Sequence, residues 1–258
     1  MNTRFTNPII STNSPDPSVT RLIDGSGWVA VTTSNKATRY NNMPAFPISF
    51  SPDLVTWTQK SWVFTPENWP TWAIKDMWAP ELHNVNGQYT VFFTALHKHG
   101  KLRSGAALAN NNDPFGTYSD IGKPLVNGDG SLVGAIDPHY FKDPVTNKDF
   151  LLWKQDEPFQ FTPSRIYLQE LNGLSLKGRP TSLLTNFFLI DDLIAEGPWM
   201  MFRDGKYYLF FSSGWFFSPE YRMLVAVSNS ITGPFIRGPD PVIATDWKRY
   251  NKVKLQGS

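Results

Sequence analysis

The chain has 258 residues, enough for one large domain or two small ones, and its 15% aromatic content with 10 Trp and 21 Pro favours short twisted strands and tight turns over long helices. A formal net charge of +2, with Lys, Arg, Asp and Glu dispersed along the text, leaves no basic stripe for a nucleic-acid backbone. No apolar run approaches the roughly 18 residues of a membrane span, no apolar leader stands in "MNTRFTNPIISTNSPDPS", and no cysteine is present, so the text reads as a soluble all-β chain whose compartment and oligomeric state stay open.

The first hairpin strand is "GWVAVTTS" from Gly27, which follows the turn former "DGSG" and has its later partner in "ISFSPDLVTWTQ" (48 to 59). Next comes "QYTVFFTA" from Gln88, after "VNGQ", with "GAALANNNDPFGTYSD" (105 to 120) as partner. The third, "DFLLWKQD" from Asp149, follows "DPVTNKD" and precedes "IYLQELNGLSLKG" (166 to 178). The fourth, "KYYLFFSS" from Lys206, follows "RDGK" and precedes "LVAVSNSITGPFIRG" (224 to 238). Their starts are 61, 61 and 57 residues apart. Each strand reads as the second half of a hairpin, because a turn former stands just before it. A period of this length made of several short strands is the mark of a β-propeller with one four-stranded blade per repeat. The chain is therefore expected to be a single propeller domain over 1–258 with about four blades' worth of sequence. A β-sandwich with self-similar hairpins is the competing fold, and four copies in register argue against it.

An acid beside a proline precedes each hairpin strand: Asp16 in "SPDPSV", Glu81 in "WAPELH", Asp137 in "AIDPHYF" and Glu196 in "AEGPWM". The gaps to the following aromatic (Trp28, Tyr89, Phe150, Tyr207) are 12, 8, 13 and 11 residues. First strands of propeller blades line the central channel, so these acids are expected to converge on one axis. Close carboxylates raise one another's pKa, and Trp199, Met200 and Met201 beside Glu196 would desolvate it, the way a carboxyl group is kept protonated as a general acid. Opposed carboxylates without a metal motif or a nucleophilic Ser or Cys constellation suit glycosidic bond cleavage. For each acid alone, an Asx-turn or a cap on backbone N–H groups is the other reading.

Taken in order, "FTNPIISTNSPDPSVTRLIDGSGWVAVTTS", "SPDLVTWTQ", "DMWAPELHNVNGQYTVFFTA", "GAIDPHYFKDPVTNKDFLLW" and "IAEGPWMMFRDGKYYLFFSSG" resemble glycoside hydrolase family 43 over essentially the whole chain. That family comprises five-bladed propellers acting on xylan- and arabinan-derived sugars. The resemblance implies that Asp16 is the general base, Glu196 the general acid and Asp137 the residue that tunes the acid's pKa and orients substrate. It also implies inversion, with Asp16 and Glu196 roughly 6.5 to 9.5 Å apart to admit a water. Trp78 resembles a pocket-wall position, Phe46 is a looser candidate for another pocket aromatic with core packing the safer reading, and Glu81 is read as structural.

No cofactor is expected. Among His83, His97, His99 and His139 no metal-ligand spacing stands out beyond the pair at 97 and 99, although members of the family sometimes hold an ion on the channel floor. A carbohydrate is the expected partner, and neither nucleic acid nor membrane. Pocket depth, and with it the choice between xyloside and arabinofuranoside, is assigned to loops such as 61 to 77 and 155 to 165, where Arg165, like Arg203 elsewhere, is either a sugar contact or a surface residue. A fifth blade would begin near residue 250, and since the text stops at "NKVKLQGS" the expectation is a C-terminally truncated relative with exposed edges. A non-catalytic sugar-binding propeller is the alternative function.

Overall fold

A computed structural model describes residues 5–127, 134–156, 163–186 and 194–246. Sixteen strands form four antiparallel four-stranded sheets, and within each sheet the strands pair in chain order. The first blade holds β1 (Ser18–Arg21), β2 (Trp28–Val31), β3 (Ala45–Ser51) and β4 (Thr58–Phe64). The second holds β5 (Ala73–Val85), β6 (Gln88–His97), β7 (Leu102–Ala109) and β8 (Tyr118–Asp120), with a short 3-10 turn at Asn110–Asn112. The third holds β9 (Gly134–Lys142), β10 (Asp149–Asp156), β11 (Ser164–Leu171) and β12 (Leu176–Asn186). The fourth holds β13 (Ala195–Arg203), β14 (Lys206–Ser213), β15 (Arg222–Ser228) and β16 (Ile236–Arg237).

The four repeats of the sequence are thus the four blades, and the four hairpin strands read from turn chemistry are β2, β6, β10 and β14. Two of the turns show why. Asn86-Gly87 joins β5 to β6 and Asp204-Gly205 joins β13 to β14, with positive φ at both central residues (52° and 91°, 50° and 76°). That is the turn whose twist matches the flanking strands and which Asn-Gly and Asp-Gly enter most cheaply. In the longer β9–β10 connection the Asp143 carboxylate accepts the N–H groups of Val145 and Thr146, so a side chain organises the turn instead.

First strands of successive blades pack on one another, β1 on β5, β5 on β9 and β9 on β13. Three apolar clusters fill the interfaces between blades. Phe46, Phe64, Met77 and Phe93 belong to the cluster between blades one and two, Phe92, Tyr140 and Leu151 to the next, and Phe141, Leu152, Leu209 and Phe211 to the last. Much of the aromatic content is spent here: Phe64 meets Phe93 edge to face at 5.0 Å and Trp72 stacks on Phe93 at 5.7 Å. Truncating a ring buried as fully as Phe93 typically costs about 3–5 kcal/mol. Phe46 is fully buried and packs on Phe64 and Phe93, so of its two readings the core one holds and the pocket-wall one is corrected.

The chain breaks its inner strands at one repeated point. Asp16-Pro17, Ala79-Pro80, Asp137-Pro138 and Gly197-Pro198 each place a residue of positive φ (50°, 41°, 53° and 56°) before a proline. In β5 and β13 the ladder register shifts across this dipeptide, between Trp78 and Glu81 and between Glu196 and Trp199. In β9 the shift falls opposite Leu152 and Lys154. Proline donates no ladder hydrogen bond, so it tolerates the bulge that positive φ creates. The equivalent residues of the four blades are therefore Asp16, Ala79, Asp137 and Gly197. This corrects the alignment of acids made from sequence: Glu196 lies one residue before the point and Glu81 two after it. The expected fifth inner strand near residue 250 lies outside the described residues.

Candidate active site

The break re-aims the residues around it, and the blade-to-blade contacts fix where they go. Thr33 and Thr94 stand at the same position of the repeat, five residues after the aromatics Trp28 and Tyr89. Each hydroxyl accepts the N–H of the positive-φ residue in the next blade, Thr33 from Ala79 at 2.7 Å and Thr94 from Asp137 at 3.0 Å. Ser104 and Ser164 repeat the device one strand further out, donating to the carbonyls of Ala135 and Ala195 at 3.1 and 3.0 Å. These tethers hold the backbone in a strained region that otherwise costs about 1–3 kcal/mol per residue.

Asp137 and Glu196 meet across the third and fourth blades. The Gly197 N–H donates to Asp137 Oδ2 at 2.9 Å, which places the backbone beside Glu196 against the Asp137 carboxylate. Lys154, with its side chain 7% exposed, sets its Nζ 3.5 Å from Glu196 Oε2. Tyr221 donates its hydroxyl to Glu196 Oε1 at 2.9 Å. Burial first and the Glu196 charge second push the Asp137 carboxyl up to about 7, against the opposing pull of Lys154. Burial and the Glu196 charge also raise the Tyr221 phenol, so it stays a donor.

Asp16 stands at the equivalent break in the first blade and remains exposed. Thr33 donates to its Oδ2 at 2.7 Å while the Thr33 N–H binds the Pro15 carbonyl at 3.0 Å, so one residue fixes both backbone and carboxylate. The Asp16 charge reaches Asp137 and raises it further. The charges of Asp16, from the first blade, and of Glu196, from the fourth, thus both act on Asp137. Trp78 occupies the place before the break that Glu196 holds in its blade, and is half-buried there. Arg203 lies at the β13–β14 turn beside Asp204, at the opposite end of the strand from Glu196 and largely exposed, a surface residue.

Below the acids, two residues past each break, come Glu81, His139 and Trp199. Glu81 Oε2 lies 2.8 Å from His139 Nδ1 and 2.7 Å from His83 Nε2, and the His139 ring packs on Trp199 at 5.5 Å. His139 Nε2 accepts the Met200 N–H at 3.0 Å, which leaves Nδ1 as the N–H that donates to Glu81. Burial works to raise the Glu81 carboxyl, and His139 followed by His83 overcomes it and holds the group at about 2. Ligand atoms of Glu81, His83 and His139 lie within 4.8 Å of one another, a spacing a cation could use. Both nitrogens of His139 are already engaged, so a cation would have to displace one of those bonds. The arrangement fits a hydrogen-bonded strut that supports the strand carrying Glu196.

Lys154, Tyr221, Thr33 and Thr94 were not singled out from sequence. The threonines had a signal, their matched repeat position. Lys154 and Tyr221 had none, because their partners lie on another blade or beyond a loop.

The family model for glycosyl hydrolases family 43 matches residues 5–258. A beta-D-galactofuranosidase of Aspergillus niger is 29% identical over 252 residues, 94% of this chain and 68% of its own length. A non-reducing end alpha-L-arabinofuranosidase of Bacteroides ovatus is 28% identical over 251 residues, 93% of this chain, which spans 42% of that protein. Among solved structures, a thermostable family-43 glycoside hydrolase superposes with a TM-score of 0.82 at 26% identity, covering 96% of this chain and 79% of its own. An endo-arabinase from Bacteroides thetaiotaomicron shares the fold with a TM-score of 0.75 at 21% identity, covering 94% and 85%.

Proposed function

The chain belongs to glycosyl hydrolases family 43, and from that premise we propose that it hydrolyses glycosidic bonds of arabinose- or xylose-containing plant cell-wall saccharides, inverting the anomeric centre. Glu196 is the general acid that protonates the leaving oxygen, Asp16 the general base that takes a proton from the attacking water, and Asp137 the partner that tunes the acid and helps orient substrate. The observation that carries the reading is the meeting of blades three and four beside Glu196, where the Gly197 N–H donates to an Asp137 carboxyl raised to about 7 and the charge of the exposed Asp16 reaches the same group. Lys154 and Tyr221 hold Glu196 in place. As its proton leaves, Lys154 and the Tyr221 hydroxyl stabilise the carboxylate that forms.

Among relatives, the names galactofuranosidase and arabinofuranosidase share a five-membered sugar ring, which places furanosides first in the substrate panel. The test is sugar release by the purified chain from arabinan, arabinoxylan, xylo-oligosaccharides and a galactofuranoside, beside Glu196→Ala. Release that the variant lacks, with the product first seen by NMR as the inverted anomer, is the expected result. A retained anomer would remove the assignment of Asp16 as base. Saccharide binding by a folded wild-type chain that releases nothing would favour the alternative, a non-catalytic sugar-binding propeller.

A further inference from the structure

We infer that the loop between β14 and β15, residues 214–221, is a binding subsite for the leaving-group side of the saccharide, its exposed rings taking the apolar face of a sugar. The inference rests on the glycosidase reading above and adds the place where the rest of the substrate lies. Trp215, Phe216 and Phe217 are 37%, 75% and 72% exposed. They are the only three consecutive exposed aromatics among the described residues. Their rings gather into one patch, Trp215 to Phe217 at 5.5 Å and Phe216 to Phe217 at 5.0 Å. Single exposed apolar side chains need no explanation, whereas a contiguous aromatic patch on a polar rim marks a contact surface.

The loop's construction and position say which contact. It is tied by Ser218 N–H to the Trp215 carbonyl at 2.8 Å and by Tyr221 N–H to the Ser218 carbonyl at 3.1 Å. Thr245 fastens it from outside by donating to the Pro219 carbonyl at 2.5 Å. At its mouth Gly214 adopts φ 96°, and a Cβ there would come within 3.2 Å of the Glu220 carbonyl oxygen, so the closure requires glycine. The rings are therefore held outward by an ordered frame. Both ends of that frame reach the acid: Glu196 pairs with Ser212 in the ladder, just before the loop begins, and Tyr221, where it ends, donates to Glu196 Oε1.

A general acid protonates the oxygen that departs with the leaving group, so the leaving saccharide lies along the acid's flank, opposite the water that the base activates. The aromatic patch belongs to the loop whose two ends meet Glu196, and Asp16 lies on another blade. Sugar rings carry apolar C–H faces that pack on aromatic planes, and rigid rings make such contacts at little entropic cost.

The test compares two substrates of the sugar that the wild-type chain releases, its methyl glycoside and its trisaccharide, for instance methyl α-L-arabinofuranoside and α-1,5-arabinotriose. Phe216→Ser with Phe217→Ser is expected to lower kcat/KM on the trisaccharide about tenfold and to leave the methyl glycoside within about twofold. An equal loss on both, or no loss on either, overturns the subsite. So does a double variant with unchanged kinetics that loses a wild-type dimer in sedimentation, which would assign the patch to a second copy of the chain. Should the wild-type chain release no sugar, the glycosidase reading falls and tryptophan fluorescence decides: quenching by arabinotriose or xylotriose that Trp215→Phe lacks upholds the subsite, and equal or absent quenching in both chains overturns it.

Discussion

Replacing Asp137 by Asn tests the Asp137–Glu196 pair without relying on turnover. The Asp137 carboxyl sits at about 7 in the folded chain against an ordinary 3.8. Between those values the folded form keeps a proton that the unfolded form has lost, so this group's contribution to stability is full below 3.8 and drains as pH rises to about 7. At 1.36 kcal/mol per tenfold change in proton affinity, the ceiling on that loss is about 4 kcal/mol. Rearrangement around a coupled pair lowers the expected figure to about 1–3 kcal/mol. Asn does not titrate, and its amide oxygen still accepts the Gly197 N–H, so Asp137→Asn escapes the loss while keeping the contact. Urea unfolding of both chains from pH 4 to pH 8 should show the variant gaining on the wild type by about 1–3 kcal/mol across the range, with the gain complete just above pH 7. A stability difference that stays constant with pH would refute the pair. On the proposed mechanism the same substitution should also lower kcat, since the carboxyl that costs the fold stability is one of the three proposed catalytic acids.

Two further substitutions probe the supports of Glu196. Lys154→Met removes the cation that pulls the Asp137 carboxyl down, so the pH at which the Asp137-linked loss of stability is complete in urea unfolding should move above about 7; a move to lower pH would show that Lys154 does not act on Asp137. His139→Leu leaves the Met200 N–H and one side of Glu81 without their partner in the channel, and should cost about 2–4 kcal/mol in urea unfolding at neutral pH, whereas a cost under about 0.5 kcal/mol would mean the strut is not structural.

The blades were legible because their hairpins carry local chemistry. Asn86-Gly87 and Asp204-Gly205 demand a turn wherever they stand, and the alternation after them fixes the strand, so β6 and β14 could be read from a few residues each. Three site acids were legible for a similar reason, since an acid beside a proline is conspicuous. Their relation to one another was not. Lys154 reaches Glu196 from the neighbouring blade, through a register shift at Leu152 and Lys154 that no local pattern announces. Phe46 also stands before a proline with positive φ, 58°, which gives it the look of a site residue, yet its ring points into the core.

What repeats through the channel is the backbone break, and the side chain at the break is free to vary. Asp occupies it in blades one and three, where the carboxylate itself is delivered. Ala79 occupies it in blade two, which leaves Glu81 two residues further along, paired with histidines and unable to act as an acid near neutral pH. In blade four the residue is Gly197, for which positive φ carries no Cβ penalty, and the acid has moved to the preceding position. The N–H at the break points to the preceding blade in blades two, three and four alike, and in blade four it meets the Asp137 carboxylate where the others meet a threonine hydroxyl, so Asp137 anchors the strand that carries the proposed acid. A third Asp in place of Gly197 would set another carboxylate beside Asp137 and place a Cβ at a positive φ that glycine adopts without penalty.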